Sequence, residues 1–384
     1  MIFISTNPNI SIDMKARLVL MFLSFLFLLT AKASEPQGFP IIADILPTEL
    51  YDNTRFADIR KAGFNAIMVW PKSTPKIYKA LNAAEANGLK VIIFNVEIER
   101  RPETIVPLIK DHPALWQYIL ADEPKMKRWQ ELLDLQQRIS RLHPEGQCYI
   151  NLYPNAGQWL LNDIGVKRYP EYVKAFSKIK QPQISYDFYP VRKGGKVADS
   201  QWYATLDEIR SESQRTGKPF WAYVLCVPHG PYPMPTLAHL RLQCYVNLAY
   251  GAQGISYFSY ATPEPTKSYD FHDGPLLRNG KKGKTYKTVK KMNAELKPVA
   301  SLFWKSKVTS INHRKCIDGE VIVSHFAKGD KRYTCFVNKS ANKNVTVGLR
   351  ANDYLVRIRK NLKTEPVKTT YTLEAGDILI MRDK

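Results

Sequence analysis

The segment HPALWQYILADEP, His112 to Pro124, runs apolar and then stops on two adjacent carboxylates, Asp122 and Glu123, followed by a proline. Like charges on neighbouring residues repel, and burying either one costs free energy. A chain keeps such a pair where water, a partner or a substrate reaches it. The chemistry on offer is that of a general acid, because a half-buried carboxyl beside another carboxylate holds its proton to higher pH. Another acid, Asp187, stands in the alternating run QISYDFYP. There Ile184, Tyr186 and Phe188 form the apolar set, so period-two alternation turns Ser185, Asp187 and Tyr189 to the opposite face.

The same alternation points Ile42 and Asp44 inward from FPIIADIL, Asn95 and Glu97 from the end of KVIIFNV, and Asn151 and Tyr153 from CYINLYP. Glu97 is also read as a surface residue with an arginine partner. Glu123 shares parity with Ile119 and Ala121, whereas Asp122 has the opposite parity. Both reach one mouth only if the strand bulges or ends there. Pro124 supports an ending, since proline does not extend a central strand and suits the first turn of a helix. Aromatic residues crowd the same strand ends. Trp70, Tyr189 and Tyr260 close their strands, and Trp221 lies within PFWAYVLCV. They are candidate walls of a binding site, with core packing as the competing use. His229, in the loop after PFWAYVLCV, is a candidate hydroxyl partner or a solvated loop histidine.

These residues need a scaffold that brings strand ends together. From residue 38 a short apolar run alternates eight times with an amphipathic one: FPIIADIL, FNAIMVW, KVIIFNV, LWQYILA, CYINLYP, QISYDFYP, PFWAYVLCV and GISYFSY are the strand candidates. Strands alternating with helices imply parallel pairing through crossovers. Units of about 30 residues over a span near 250 predict a (β/α)8 TIM barrel, with its reactive residues at the C-terminal strand ends. The alternative, a doubly wound open sheet, usually shows a glycine-rich first turn, and ADILPTELYDN has none. After Lys307 short alternating runs separated by Gly, Asn and Lys predict a small all-β sandwich. The predicted domains are therefore a barrel over residues 34–305 and a β-sandwich over 306–384.

Residues 1–33 read as a secretory signal peptide. Lys15 and Arg17 precede an apolar run from Leu18 to Leu29, and Ala31-Lys32-Ala33 is an A-x-A cleavage pattern. That run is shorter than the ~20 residues of a membrane span. The expectation is an exported protein, secreted or periplasmic, with no stable membrane insertion after cleavage near Ala33. The chain is 45% hydrophobic and 24% charged, with net charge +21. A basic exported protein is drawn to anionic polymers. The basic residues are spread thinly and no helix-turn-helix, RNP-like or zinc-finger pattern is present, so nucleic acid is not the expected partner. An anionic polysaccharide or a membrane surface fits better, beside the plainer reading of a solvated basic surface. No H-E-x-x-H, C-x-x-C or G-x-G-x-x-G motif occurs, so neither metal nor cofactor is expected. The five cysteines have no metal-type spacing, and Cys316 and Cys335 are near enough in sequence to pair across a hairpin.

A fourth strand ending in Glu-Pro after a polar residue resembles the acid/base motif of the clan A glycoside hydrolases, exported (β/α)8 enzymes that cleave sugars. The resemblance extends over DHPALWQYILADEP, LAYGAQGISYFSYATP and FHDGPLLRNGKKGKTYKTVKKMNAELKPV, and takes in the appended β-domain. It implies a carbohydrate substrate, hydrolysis of O-glycosidic bonds, and Glu123 as general acid with Asp122 as the neighbour that raises its pKa. The chain departs from the clan at strand seven, which carries the nucleophile there: KPFWAYVLCVPHGPYP holds no acid from Lys218 to Pro235. Three readings are open. The second carboxylate comes from another strand, with Asp187 first and a wider separation favouring inversion. Or a 2-acetamido group of the substrate is the nucleophile, oriented by Asp122, as the adjacent Asp-Glu pair of exo-hexosaminidases suggests. Or the barrel binds glycans without cleaving them.

Overall fold

The computed structural model describes residues 35–384, so the expected signal peptide lies outside the described residues. The eight apolar runs form β1 (Ile41–Leu46), β2 (Ala66–Val69), β3 (Lys90–Ile93), β4 (Leu115–Asp122), β5 (Gln147–Leu152), β6 (Ile184–Tyr186), β7 (Phe220–Leu225) and β8 (Ile255–Phe258). They pair in chain order, all parallel, and β8 returns to β1 to close the barrel. Helices cross back between successive strands, as parallel pairing demands.

Alternation divides the side chains between two apolar clusters. Ile42, Ala66, Met68, Ile92, Ile119, Tyr149 and Tyr223 fill the lumen. Ile41, Ile67, Val91, Leu120, Ile150 and Val224 pack outward among the helices. In β3 the lumen set is Ile92 with Phe94, one residue out of step with the parity read for Asn95 and Glu97. The chain leaves the sheet at Ile93, and Asn95 caps a short helix, α3 (Val96–Arg100); α1 (Asn53–Lys61) and α2 (Thr74–Ala86) precede it.

The C-terminal region is antiparallel. Strands β9 (Lys307–Cys316), β10 (Gly319–Lys328), β11 (Lys331–Asn338), β13 (Tyr354–Ile358), β14 (Thr364–Glu365) and β16 (Ile378–Asp383) build a six-stranded sheet. A two-stranded sheet pairs β12 (Val345–Gly348) with β15 (Thr370–Leu373). Val321, Val323, Phe336, Leu379 and Met381 face the second sheet. Their alternates Ile322, Phe326, Cys335, Val337 and Ile380 join the barrel's outer cluster. The sandwich therefore shares its core with the barrel, mostly through the helix Leu237–Tyr250, which is buried from Leu240 onward. Within that helix Arg241 is nearly buried and donates to both oxygens of Glu295 at 2.8 Å and to Glu374 at 2.5 Å. Lys360 completes the network, donating to Glu295 and Asp377. Removing one member of such a buried set leaves an unpaired charge and costs ~3–5 kcal/mol.

Cys316 and Cys335 do not pair. Cys316 stands opposite Gly319 and Cys335 opposite Ser324, well apart along β10, and all five cysteines are free thiols. Denatured protein prepared without reductant should therefore titrate five thiols with a chromogenic disulfide reagent; three would restore the Cys316–Cys335 bridge. Gly376 tests the shared core. It has φ +67°, and a Cβ there would lie 2.4 Å from the Ala238 carbonyl oxygen and 2.6 Å from the Leu242 nitrogen. Gly376→Ala should cost about 2–3 kcal/mol in chemical denaturation, and an unchanged midpoint would refute close docking of the sandwich on that helix.

Candidate active site

The C-terminal strand ends open into a cavity of about 530 Å³ lined by Asp44, Asp122, Glu123, Asn151, Asp187 and Tyr223, with an aromatic rim above them. β4 delivers both of its acids through an irregularity in its pairing. Ile119 pairs with Tyr149 and Ala121 with Ile150, which leaves Leu120 as an extra residue. One extra residue reverses the parity of every later position in the strand. Ile119 faces the lumen, Leu120 and Ala121 pack outward, and Asp122 comes back to the lumen side opposite Asn151. Glu123 then takes φ +49°, in the left-handed region, with its N–H donating to the Asn151 carbonyl at 2.9 Å. A residue other than glycine held there costs roughly 1–2 kcal/mol. The bulge and the turn thus place both carboxyls in one mouth.

β5 and β6 hold the acids in place. The Asn151 amide donates to Asp122 at 3.1 Å and to Asp187 at 3.3 Å. Its carbonyl accepts from the Ser185 hydroxyl at 3.0 Å, and Ser185 in turn meets the Tyr149 hydroxyl at 2.7 Å. Tyr149 reaches Tyr223 at 3.4 Å, and Tyr223 donates to the Met68 sulfur at 3.0 Å. A buried hydrogen-bonded chain therefore lies under the acids and fixes the orientation of Asn151.

The carboxyls raise one another's pKa. Burial does most to lift Glu123, and the charges of Asp187 and Asp122 lift it further. The Glu123 and Asp187 carboxyls are in hydrogen-bond contact. Asp187 is raised by burial and by Asp122, but the bonds from Glu123 and Asn151 oppose the shift. The proton shared by the pair consequently rests on Glu123, and Asp187 is the group that ionises first. Asp122 is open to solvent at the mouth, and burial of its carboxyl by surrounding protein raises it against the pull of Asn151. Asp44 is nearly buried, and its carboxyl is pushed up to about 8 by burial and then by Asp122. The Ile45 N–H donates to it at 2.8 Å, and Trp70 and Tyr223 stand beside it. Trp70 packs on Phe94 with ring centroids 4.8 Å apart.

Tyr153, Tyr189 and His229 also line the cavity. Tyr189 stacks on Phe258 and meets Tyr232 edge-on. His229 packs against Phe271 with centroids 4.4 Å apart and lies 3.1 Å from the Val227 carbonyl through Nδ1. A carbonyl only accepts, so Nδ1 carries the proton and Nε2 is left as an acceptor. Burial lowers the His229 pKa and keeps the ring neutral.

Four candidates from the sequence are not brought here. Asn95 is buried as a helix cap, accepting from Glu97 N at 2.8 Å and donating to the Pro71 carbonyl at 2.7 Å. Glu97 forms a partly exposed ion pair with Arg101. Trp221 lies at the other end of the barrel against Trp116, centroids 5.1 Å apart. Tyr260 points outward and packs edge-on to Phe64. Trp159, Arg192, Phe258, Tyr269 and Phe271 line the cavity without having been marked by sequence pattern. Trp159 is 69% exposed and Tyr269 45%, which is unusual for large rings on a soluble surface. Both lie in segments that follow barrel strands, and those segments build the mouth. Among the described residues no three His, Cys, Asp or Glu side chains are placed to hold a metal ion. Among the same residues no helix is long and apolar enough to cross a membrane.

No protein-family model matches the chain. No curated protein matches it either. Solved structures do, glycoside hydrolases among them. A family 39 glycoside hydrolase from Bacteroides cellulosilyticus WH2 aligns with TM-score 0.59 and 14% identity over 90% of this chain and 81% of its own. A family 5 glycoside hydrolase from Bacteroides vulgatus gives 0.59 and 11%, over 90% and 89%. A β-galactosidase from Bacillus circulans gives 0.64 and 9%, over 90% and 99%. At such identities the likeness is one of fold, and it fixes no single family.

The raised Asp44 carboxyl makes a pH prediction. Between an ordinary carboxyl value near 4 and about 8 the folded state binds a proton that the unfolded chain releases. Stability therefore falls as pH rises through that window. The melting temperature should drop from pH 5 to pH 8, and Asp44→Asn should flatten the slope. An equal slope in the variant would show that Asp44 is ionised throughout.

Proposed function

We propose that the chain is a glycoside hydrolase that cleaves O-glycosidic bonds of an extracellular oligo- or polysaccharide, with Glu123 as general acid and Asp187 as nucleophile. One observation carries the reading: two carboxyls at the ends of β4 and β6 line one aromatic-rimmed cavity, where burial and the neighbouring charges favour the proton on Glu123 over Asp187. Contact leaves no room for a water between them, which inversion needs at about 6.5–9.5 Å. The spacing favours double displacement with retention over the inversion expected from a wider gap. Glu123 protonates the leaving-group oxygen while the Asp187 carboxylate attacks the anomeric carbon and forms a glycosyl ester. Glu123, now ionised, takes a proton from the water that hydrolyses this ester and regains its acid form. The glycoside hydrolases that share the fold support the reading, and the expected signal peptide supports an exported site of action.

Asp122 sustains a second reading. The bulge turns it into the same mouth, next to Glu123, where it would orient a 2-acetamido group that attacks in place of Asp187. Activity is measured on a glycan panel that includes anionic polymers, with anomer-resolved product NMR. Glu123→Gln should lower kcat by about 10³-fold or more while substrate binding survives; retained activity would remove Glu123 as the acid. Asp187→Ala should be as damaging, and azide should rescue it as a glycosyl azide. If Asp187→Ala stays active on 2-acetamido glycosides and Asp122→Asn does not, the substrate-assisted route replaces the first. A wild type that binds glycans and turns none over would leave a binding barrel.

The pH profile depends on the same pair. Activity should fail on the acid side as Asp187 gains a proton and on the alkaline side as Glu123 loses one. Both limbs should lie above the ordinary carboxyl range, because burial and then the Asp122 charge raise Asp187, and burial and then the Asp187 and Asp122 charges raise Glu123. A kcat profile with both limbs below pH 5 would contradict this electrostatic account.

A further inference from the structure

The larger cavity of the molecule is not the candidate active site. About 910 Å³ lies under the barrel floor, against 530 Å³ at the mouth. It is bounded by the N-terminal ends of β4 and β7 and by the turn from Trp304 to Val308 that leads into the sandwich. Along β4, Trp116 lines this cavity and Asp122 the other. Six residues of strand separate the two by about 20 Å. Between them the buried amides of Gln117 and Gln183 bond reciprocally, at 3.0 and 3.2 Å, and close the floor.

The lining is unlike that of the mouth. Arg210, Lys218, Lys305 and Lys307 face a single carboxylate, Glu35, among the described lining residues. Three donors there have no partner: Trp116 Nε1, Arg210 Nε and the Ser306 hydroxyl are buried and make no hydrogen bond. Trp116 is itself 3% exposed. Those three atoms are enclosed by protein, so what the cavity itself offers an anion is the charge of Arg210, Lys305 and Lys307. Lys305 is also held at φ +58°, with its N–H donating to Gln253 at 2.7 Å and its ammonium 5.6 Å from the Trp304 ring centre. A glycine or asparagine would occupy that backbone conformation at less cost, but without the charge.

Cations in excess of carboxylates on the lining call for an anion. The partly exposed Trp304 ring offers a face on which a sugar ring can stack beside it. We propose that this cavity is a second, non-catalytic site for an acidic saccharide, which places its carboxylate or sulfate against Arg210, Lys305 and Lys307. It is independent of the hydrolase reading, since none of its residues belongs to the mouth. A polymer of this class would be held at the barrel floor while another stretch is presented at the mouth.

The test uses the Glu123→Gln chain and isothermal titration at low salt. The probes are a uronic-acid trisaccharide, its neutral counterpart and inorganic sulfate. The acidic trisaccharide should bind at least tenfold more tightly than either other probe and should weaken as salt is raised. Arg210→Gln and, separately, Lys305→Gly with Lys307→Gln should each weaken it at least tenfold. The second variant relieves the backbone at residue 305, so loss of binding in it is not loss of folding. Equal binding of the neutral sugar, unchanged affinity in both variants, or sulfate binding as tightly as the trisaccharide would each overturn the proposal. The last outcome would make the cavity a site for a free inorganic anion.

Discussion

Repulsion among four carboxyls at one barrel mouth is the constraint to which the rest of the site answers. Asp44, Asp122, Glu123 and Asp187 line a single cavity; burial raises all four, and the Asp122 charge adds to the shift of the other three. One amide, Asn151, bridges two of them, and its orientation is set by Ser185, Tyr149 and Tyr223 beneath. That hydrogen-bonded chain crosses the lumen from β5 to β7, so the closed barrel is what holds the acids together. An open sheet would let them separate and return to ordinary carboxyl behaviour. The proposed chemistry uses the compression directly: it puts the proton on Glu123 and leaves Asp187 as the ionised nucleophile.

Most of this scaffold was legible in the sequence, because period-two alternation is strong in runs such as QISYDFYP. Ile184, Tyr186 and Phe188 pack outward, as their pattern indicates, and Asp187 faces the cavity. Parity fails where the backbone stops being regular. In β4 a single extra residue, Leu120, reverses the faces, and no local composition marks it. In β3 the strand ends two residues before Asn95, and a strand rule does not hold for a helix cap. Tyr260 and Trp221 show the limit for aromatics: large rings suit a core as well as a binding wall, and only position along the strand separates the uses.

The loops were least legible. Trp159 reaches the cavity from the short helix Gln158–Ile164, and Tyr269 and Phe271 from the irregular segment after β8, and their placement depends on how each segment folds back over the rim. Their exposure is a property of the assembled mouth and not of any window of sequence. The charge carried a different kind of information. A net charge of +21 indicated an affinity for anions, yet the mouth is lined by four acids. The positive charge lies elsewhere, part of it beneath the floor, so a global charge located neither site.

The shared core of barrel and sandwich has a consequence for how such a chain can change. The helix Leu237–Tyr250 is apolar toward both bodies, and Arg241 within it is neutralised partly by Glu374 of the sandwich. Cut away, the sandwich would leave a barrel with an unsolvated greasy flank and a half-compensated guanidinium. The tail is thus not an accessory that recombination can swap between barrels. Rim residues such as Trp159 and Tyr269 stand in solvent, so exchanging them would disturb neither body and would alter only what the mouth selects.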